Sequence, residues 1–311
     1  MLKYTIKRFL FIIPMLFGVI LLVFSLINLV PGDPGRTILG INATQEAVEA
    51  LNEQLGYYLP FTEKLLNYLE QVFLHFDFGT SYTSGEPVLK EIMVNFGYTL
   101  RLTVLCTVAS TLIGLPLGIL AAVKQYSAFD NIVRVSAITF NSVPQFWLSM
   151  CGILLFSLVL GWLPAEGVDS WKSYILPVSM NALTSGASLM RMTRVIMLET
   201  IREDYVRTAR AKGCSERTVQ WKHAFANAAL PIVTSVGLSF ASMLGGTVII
   251  ESVFSMPGLG SLAMSAVNAK DLPMVMGTTI FFAVIFSVIV VLIDLISAWV
   301  DPRVRAKFSE S

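Results

Sequence analysis

Residues 102–123 read LTVLCTVASTLIGLPLGILAAV, twenty-two positions without one charged side chain. A helix of that length spans about 33 Å, close to the hydrocarbon thickness of a bilayer. The whole chain leans the same way. Of 311 residues 55% are apolar and 14% charged, and mean hydropathy is +0.70. A soluble domain carries about 25% charged residues. One core cannot hide this much apolar surface, so lipid must be part of the solvent.

Working outward, Phe9–Val30 is an apolar run behind Lys3, Lys7 and Arg8. It exceeds a signal-peptide core of about 7–15 residues and ends in Pro31-Gly32-Asp33-Pro34, so it reads as a retained span. Further runs cover 135–160, 174–190, 230–250 and 274–300. The expected fold is an all-α integral membrane protein with six transmembrane helices. The expected organisation is a first span within 1–30, an outer segment 31–98, a transmembrane core 99–300 and a tail 301–311. An inner loop 191–229 interrupts the core.

Lys and Arg set the orientation. With the N-terminus inside, sixteen of 22 cations fall on the cytoplasmic side, eight of them between Arg191 and Lys222. Thirteen of 21 acids fall in outer segments, counting Glu251. Both termini are therefore expected in the cytoplasm. In the outer segment Thr44 and Gly56 bracket a candidate helix, and 61–76 reads as a second, amphipathic one. Its simplest role is a lid tying the first span to the second, with docking of an outer partner the alternative. Cys106, Cys151 and Cys214 show no metal or pairing pattern, and His75 and His223 stand apart, so no metal site is expected.

The basic loop is the least lipid-like part. In DYVRTARAKGCSERTVQWKHAFANAALP (204–231) Asp204 suits a helix N-cap and Gly213 a position just past the end. Tyr205, Val206, Ala209 and Gly213 share one small face, and Arg207 and Arg210 lie on the other. Ser215 suits the cap of a following helix. A basic inner loop also arises from the orientation rule and contact with anionic lipid.

Residue order goes further. Arg207-Thr208-Ala209-Arg210-Ala211-Lys212-Gly213, with Leu230-Pro231 downstream, resembles the EAA loop of ABC importer permeases. The usual Glu-Ala-Ala start is here Arg207-Thr208-Ala209, as in the peptide/nickel branch of that family. The rest of the chain is similar to that branch. It carries Met1-Leu2-Lys3-Tyr4, Pro31-Gly32-Asp33-Pro34, Asp77-Phe78-Gly79-Thr80-Ser81, Val143-Pro144-Gln145-Phe146-Trp147, Pro257-Gly258-Leu259-Gly260 and Asp301-Pro302-Arg303, in that order.

The resemblance implies a type I ABC importer permease fold, as the first of two homologous permease subunits. It implies two ATP-binding subunits and an extracytoplasmic substrate-binding protein as partners, with no nucleic acid. The 204–218 segment would couple to the ATPases through Asp204, Tyr205, Arg207, Ala209, Arg210, Ala211, Gly213 and Ser215. The chain has no GxxxxGK[ST] motif, so it is expected to be non-catalytic with no cofactor of its own, ATP and Mg belonging to the partners. Dipeptides or oligopeptides are the expected cargo, with nickel chelates or glutathione-like peptides as alternatives.

Polar side chains within spans turn away from lipid. Asn141, Ser142, Gln145, Asn181 and Ser185 are therefore candidates for the pore, although helix–helix hydrogen bonding explains such residues as well. Pro144 should kink the third span. Glu251, at the outer end of the fifth span, is placed with the pore candidates, with a cap or pair inside the outer loop as the alternative. Asp294 reads as a structural partner of Arg303 or Arg305. Two other classes remain: an ion-coupled secondary transporter using Asp294 and Glu251, and a membrane sensor whose basic loop binds a partner without transport.

Overall fold

The computed structural model describes residues 2–29 and 32–300. The tail 301–311, with Asp301-Pro302-Arg303, Arg305 and Lys307, lies outside the described residues, so the expected partners of Asp294 do too. The described chain is helical throughout, with one isolated β-bridge between Thr80 and Pro87.

α1 (Leu2–Leu29) is followed by three short helices: α2 (Pro34–Leu39), α3 (Gln45–Gln54) and α4 (Phe61–His75). Asp33 caps α2 by accepting from the Arg36 amide, and Thr44 caps α3 through the Ala47 amide. Gly56 takes a left-handed φ of 67° after α3. Buried Asn52 ties α3 to α2, donating to Asp33 at 2.7 Å and accepting from the Gly35 amide at 2.7 Å. α4 returns to α1 through Phe24, which packs edge-on against Phe61.

α5 (Val88–Val123) runs 36 residues, about 54 Å at the usual rise. It packs along its length against α8 (Lys172–Ile201). A Cβ on Gly114 would lie 2.7 Å from the Gly186 carbonyl, and one on Gly118 would lie 2.6 Å from that of Met190. Only glycine lets the two backbones meet there. Between them come α6 (Ala128–Ser142) and α7 (Gln145–Gly152), the latter continuing as wide π-helical turns to Val159.

The span expected over 135–160 is broken more sharply than a kink: its two helices meet at 97°. Pro144 has no amide to continue α6, and its ring forces the preceding residue out of helix. Val143 accordingly sits at ψ 127°, and Pro144 becomes the residue before α7.

After α8 come α9 (Asp204–Ala211) and α10 (Glu216–Thr218). α10 passes through π-helical turns at Val219–Phe225 into α11 (Ala226–Gly246). The fifth apolar run was expected to reach Ile250, but α11 stops at Gly246 and α12 (Val248–Val253) begins after a turn at Thr247. Two adjacent glycines are weak helix formers, which favours the break. Gly245 meets no neighbour within 4 Å, so it makes no close helix contact. α13 (Leu259–Ala269) and α14 (Leu272–Val300) complete the chain, α14 packing against α1 and α11.

Among the described residues four helices are long and apolar enough to cross a membrane, or five if the bent pair is one span. α8 is long enough but dotted with Ser, Thr and Asn. It packs against α5, α6, α7 and α11, with Met192 and Val195 left exposed.

Candidate functional site

The α9 hairpin is built from its own sequence. Val206 and Val219 are fully buried, and Ala209 is nearly so. The small face therefore seats α9 on the first turns leading to α11. It is not left free for a partner, which corrects the expectation for Ala209. The outward surface carries exposed Tyr205, Arg207, Thr208, Arg210, Ala211 and Lys212. The cap lies one residue earlier than expected: Glu203 is the N-cap, and Asp204 opens the helix with an exposed carboxylate 3.4 Å from Arg207.

The loop closes tightly. Gly213 takes φ 79° and donates its amide to the Arg210 carbonyl at 2.9 Å. Arg210 forks onto Glu216 at 2.8 and 3.4 Å. Ser215 caps α10 by accepting from the Thr218 amide. Beyond the hairpin, Ala224, Ala228 and Ile232 pack against Ile119 and Ala122 of α5 and Ile196 and Met197 of α8. A load on α9 thus reaches α11 through side chains already in contact.

The polar residues of the spans separate into two groups. Asn141 and Ser142 sit at the carboxyl end of α6, Gln145 at the start of α7, and all three flank the break. The Ser188 hydroxyl donates to Asn141 Oδ1 at 2.7 Å across to α8. Asn141, Ser142 and Ser188 are exposed, with Gln145 and Ser185 half-buried. Asn181 belongs to the second group: it is 4% exposed and its Oδ1 finds no protein partner. The Ser149 and Tyr174 hydroxyls share that condition.

Glu251 is drawn away from any open face. It is 1% exposed. One carboxylate oxygen accepts from the hydroxyls of Thr99 at 2.7 Å and Thr247 at 2.9 Å. The other accepts the Gly260 and Ser261 amides, at 2.8 and 3.0 Å, in the first turn of α13. Thr99 in turn accepts the Leu259 amide at 2.7 Å. A Cβ on Gly258 would lie 2.1 Å from the Glu251 carboxyl carbon. The carboxylate is thus a remote cap for α13, the alternative to a pore role, and the helix dipole favours its charge.

Sequence reading missed the ion pair between Asp130 and Arg194. Arg194 donates from Nε and Nη2 at 2.6 and 2.8 Å to a fully buried Asp130, joining α6 to α8. The available signal was an acid and a base near span ends in a chain with few charges. It also missed Asp271, which is 2% exposed, accepts from Ser81 at 2.5 Å and the Thr83 amide at 3.2 Å, and caps the start of α14.

These features define the frame of a membrane-embedded protein: a bundle of apolar helices with a hairpin at one end and a small helical cap at the other. Comparison with known proteins gives the family. Residues 114–306 match the model described as "Binding-protein-dependent transport system inner membrane component", and residues 1–103 match its N-terminal companion. The chain belongs to this family and is the permease subunit of an ABC importer, a non-catalytic component.

It is 40% identical over 307 residues to the glutathione transport system permease protein GsiC of Escherichia coli (strain K12), covering 99% of this chain and 100% of that one. It is 40% identical over 311 residues to the GsiC of Salmonella typhi, with the same coverage. Among solved structures, an inward-facing MetNI methionine ABC transporter gives a TM-score of 0.54 at 21% identity, over 71% of this chain and 98% of that chain. An amino acid ABC transporter crystallised with histidines gives 0.52 at 17% identity, over 69% and 94%. At those identities the structures speak for the fold.

Proposed function

We propose that this chain forms half of the path of an ATP-driven importer of short peptides, with glutathione the first cargo to test. The observation that carries the coupling mechanism is the burial of Val206 and Ala209 against Val219. It makes α9 and the root of α11 one mechanical piece. Two ATP-binding subunits dock on the outward α9 surface, a second homologous permease completes the path, and an external binding protein meets the α2–α4 side. Both termini lie in the cytoplasm, and α8 is the sixth span. The glutathione permeases 40% identical to this chain support that cargo. The ordered motif set supports the wider peptide class.

Alternating access needs two discrete arrangements, each preferred by one nucleotide state. The break at Pro144 supports a path there, because discontinuous spans present helix ends and polar groups at mid-membrane sites. Asn141, Ser142, Gln145 and Ser188 meet at that break. Glu251 and Asn181 are held inside the chain and act as structure.

The test is uptake of labelled glutathione by the reconstituted importer, with dipeptide and tripeptide competitors, alongside ATP hydrolysis. Gly213→Arg should leave hydrolysis running and abolish uptake, because the φ of 79° suits glycine and the side chain intrudes on the docking face. Normal uptake in that variant would remove the coupling role. Failure of glutathione and of every peptide to compete would remove the cargo.

A further inference from the structure

A cavity of about 660 Å³ lies where the α2–α4 cap meets the ends of α1 and α14. Its floor includes Phe24 and Ile27 of α1 and Met276 of α14. Both helices are apolar enough to cross a membrane. The opposite face of α1 is bare: Leu22, Leu26 and Leu29 are 59%, 55% and 79% exposed. Its upper wall carries Lys64 and Lys270, and Tyr68 and Tyr82 also line it.

The upper wall has unused capacity. Neither lysine forms an ion pair with a described acid. Lys64 rests only on the Tyr57 ring, 5.0 Å from its centroid. The Tyr68 hydroxyl is buried without a hydrogen-bond partner, a costly state unless something fills it. Burial, helped by the Asp271 charge, pushes Tyr82 up to about 12, so its hydroxyl keeps its proton as a donor. The acid in the wall, Asp33, is already committed to Asn52 and the Arg36 amide.

We propose that this cavity seats one anionic phospholipid from the leaflet on the cap side. Its phosphate lies against Lys64 and Lys270, and its acyl chains lie along Phe24, Ile27 and Met276. The chemistry favours an amphiphile over a soluble anion: the cationic and hydroxyl donors of Lys64, Lys270 and Tyr82 share the cavity with apolar Phe24, Ile27 and Met276, at the ends of two helices apolar enough to cross a membrane. The volume suits a headgroup and the first part of its chains, within the roughly 300–1,000 Å³ range of small-molecule sites. The bound lipid would staple the cap to α1 and α14.

The experiment is native mass spectrometry of the full-length chain in mild detergent, with equal amounts of dioleoylphosphatidylglycerol and dioleoylphosphatidylethanolamine. Phosphatidylglycerol should be retained preferentially. K64Q and K270Q should each lower its retention about fivefold, the weight of one basic side chain near anionic lipid, and the double variant about 25-fold. Met276→Trp, which fills the floor, should lower retention of both lipids while leaving the lysines in place. Equal retention of the two lipids, or unchanged retention in the double lysine variant, overturns the proposal. Displacement by millimolar inorganic phosphate alone overturns it in favour of a soluble anion. Loss of the lipid when the second permease subunit is added overturns it in favour of a protein contact.

Discussion

Replacing Glu251 separates a structural cap from a pore residue. Glu251→Ala removes the acceptor of four donors: the Thr99 and Thr247 hydroxyls and the Gly260 and Ser261 amides. The hydroxyls can rotate toward other acceptors, but the amides are fixed by α13. Each stranded buried amide costs about 1–3 kcal/mol, so the variant should lose about 4 kcal/mol. Glu251→Gln keeps one oxygen for the two amides and should lose about half as much. At roughly 2 °C per kcal/mol for a chain of this size, the expected falls in Tm are about 8 and 4 °C.

The assay is thermal unfolding of the detergent-solubilised permease, followed by tryptophan fluorescence, beside uptake in vesicles. Thr99→Val should couple to Glu251→Ala by about 1 kcal/mol in a double-mutant cycle, because Thr99 bridges the carboxylate and the Leu259 amide. An alanine variant with the parent's Tm and a selective loss of uptake would refute the cap and return Glu251 to the path.

Further outcomes follow from other contacts. Asp130→Asn leaves Arg194 without its charge partner in a largely buried setting, and should cost about 3 kcal/mol in the same unfolding assay. Gly118→Leu drives a side chain into the Met190 carbonyl and Thr193, so assembled permease should be lost from membranes, while a substitution at Gly245, where space is open, should be tolerated. Hydrogen bonding from Asn52, then from the Arg36 amide, holds the Asp33 carboxyl below the usual carboxylate range. Because that folded-state pKa is depressed, its stabilisation is complete above the unfolded value of about 3.9 and disappears as pH falls through the folded one. Hydrogen exchange at 45–54 should therefore quicken only in strong acid, and Asn52→Leu should move that onset to higher pH.

Much of this was legible because lipid imposes harsh rules. A charge-free run such as 102–123 has few fates, and it lies wholly within α5. The cations from Arg191 to Lys222 read as one loop, but Arg191 and Arg194 extend α8, and Arg217 and Lys222 lie in the helical turns that lead into α11. Caps were legible where they are local, as at Thr44 and Ser215. What escaped was long-range. Glu251 finds its donors through a chain reversal at Gly258, and Asp130 finds Arg194 64 residues away. A sequence pattern records the presence of a buried carboxylate, not the address of its partner. The sharp break at Pro144 escaped in degree: proline forbids a continuous ladder but does not set the angle, which packing against α8 decides. Ala209 was misassigned because a small helical face fits a neighbouring turn of the same chain as well as it fits a partner.

The glycine contacts between α5 and α8 have a consequence for how a gate can open. Where Gly114 and Gly118 let one backbone rest on another, the two helices are keyed like cogs. Sliding or rolling one against the other would first have to lift carbonyls over α-carbons. Such a pair travels as a single plank, and its own seam is the wrong place to look for a hinge. The compliance must lie at its edges, in the wide turns at Ile153–Val159 and Val219–Phe225 and in the bare elbow at Val143-Pro144. Spin labels placed across the plank should report a constant distance through the cycle, and labels placed across the elbow should report two.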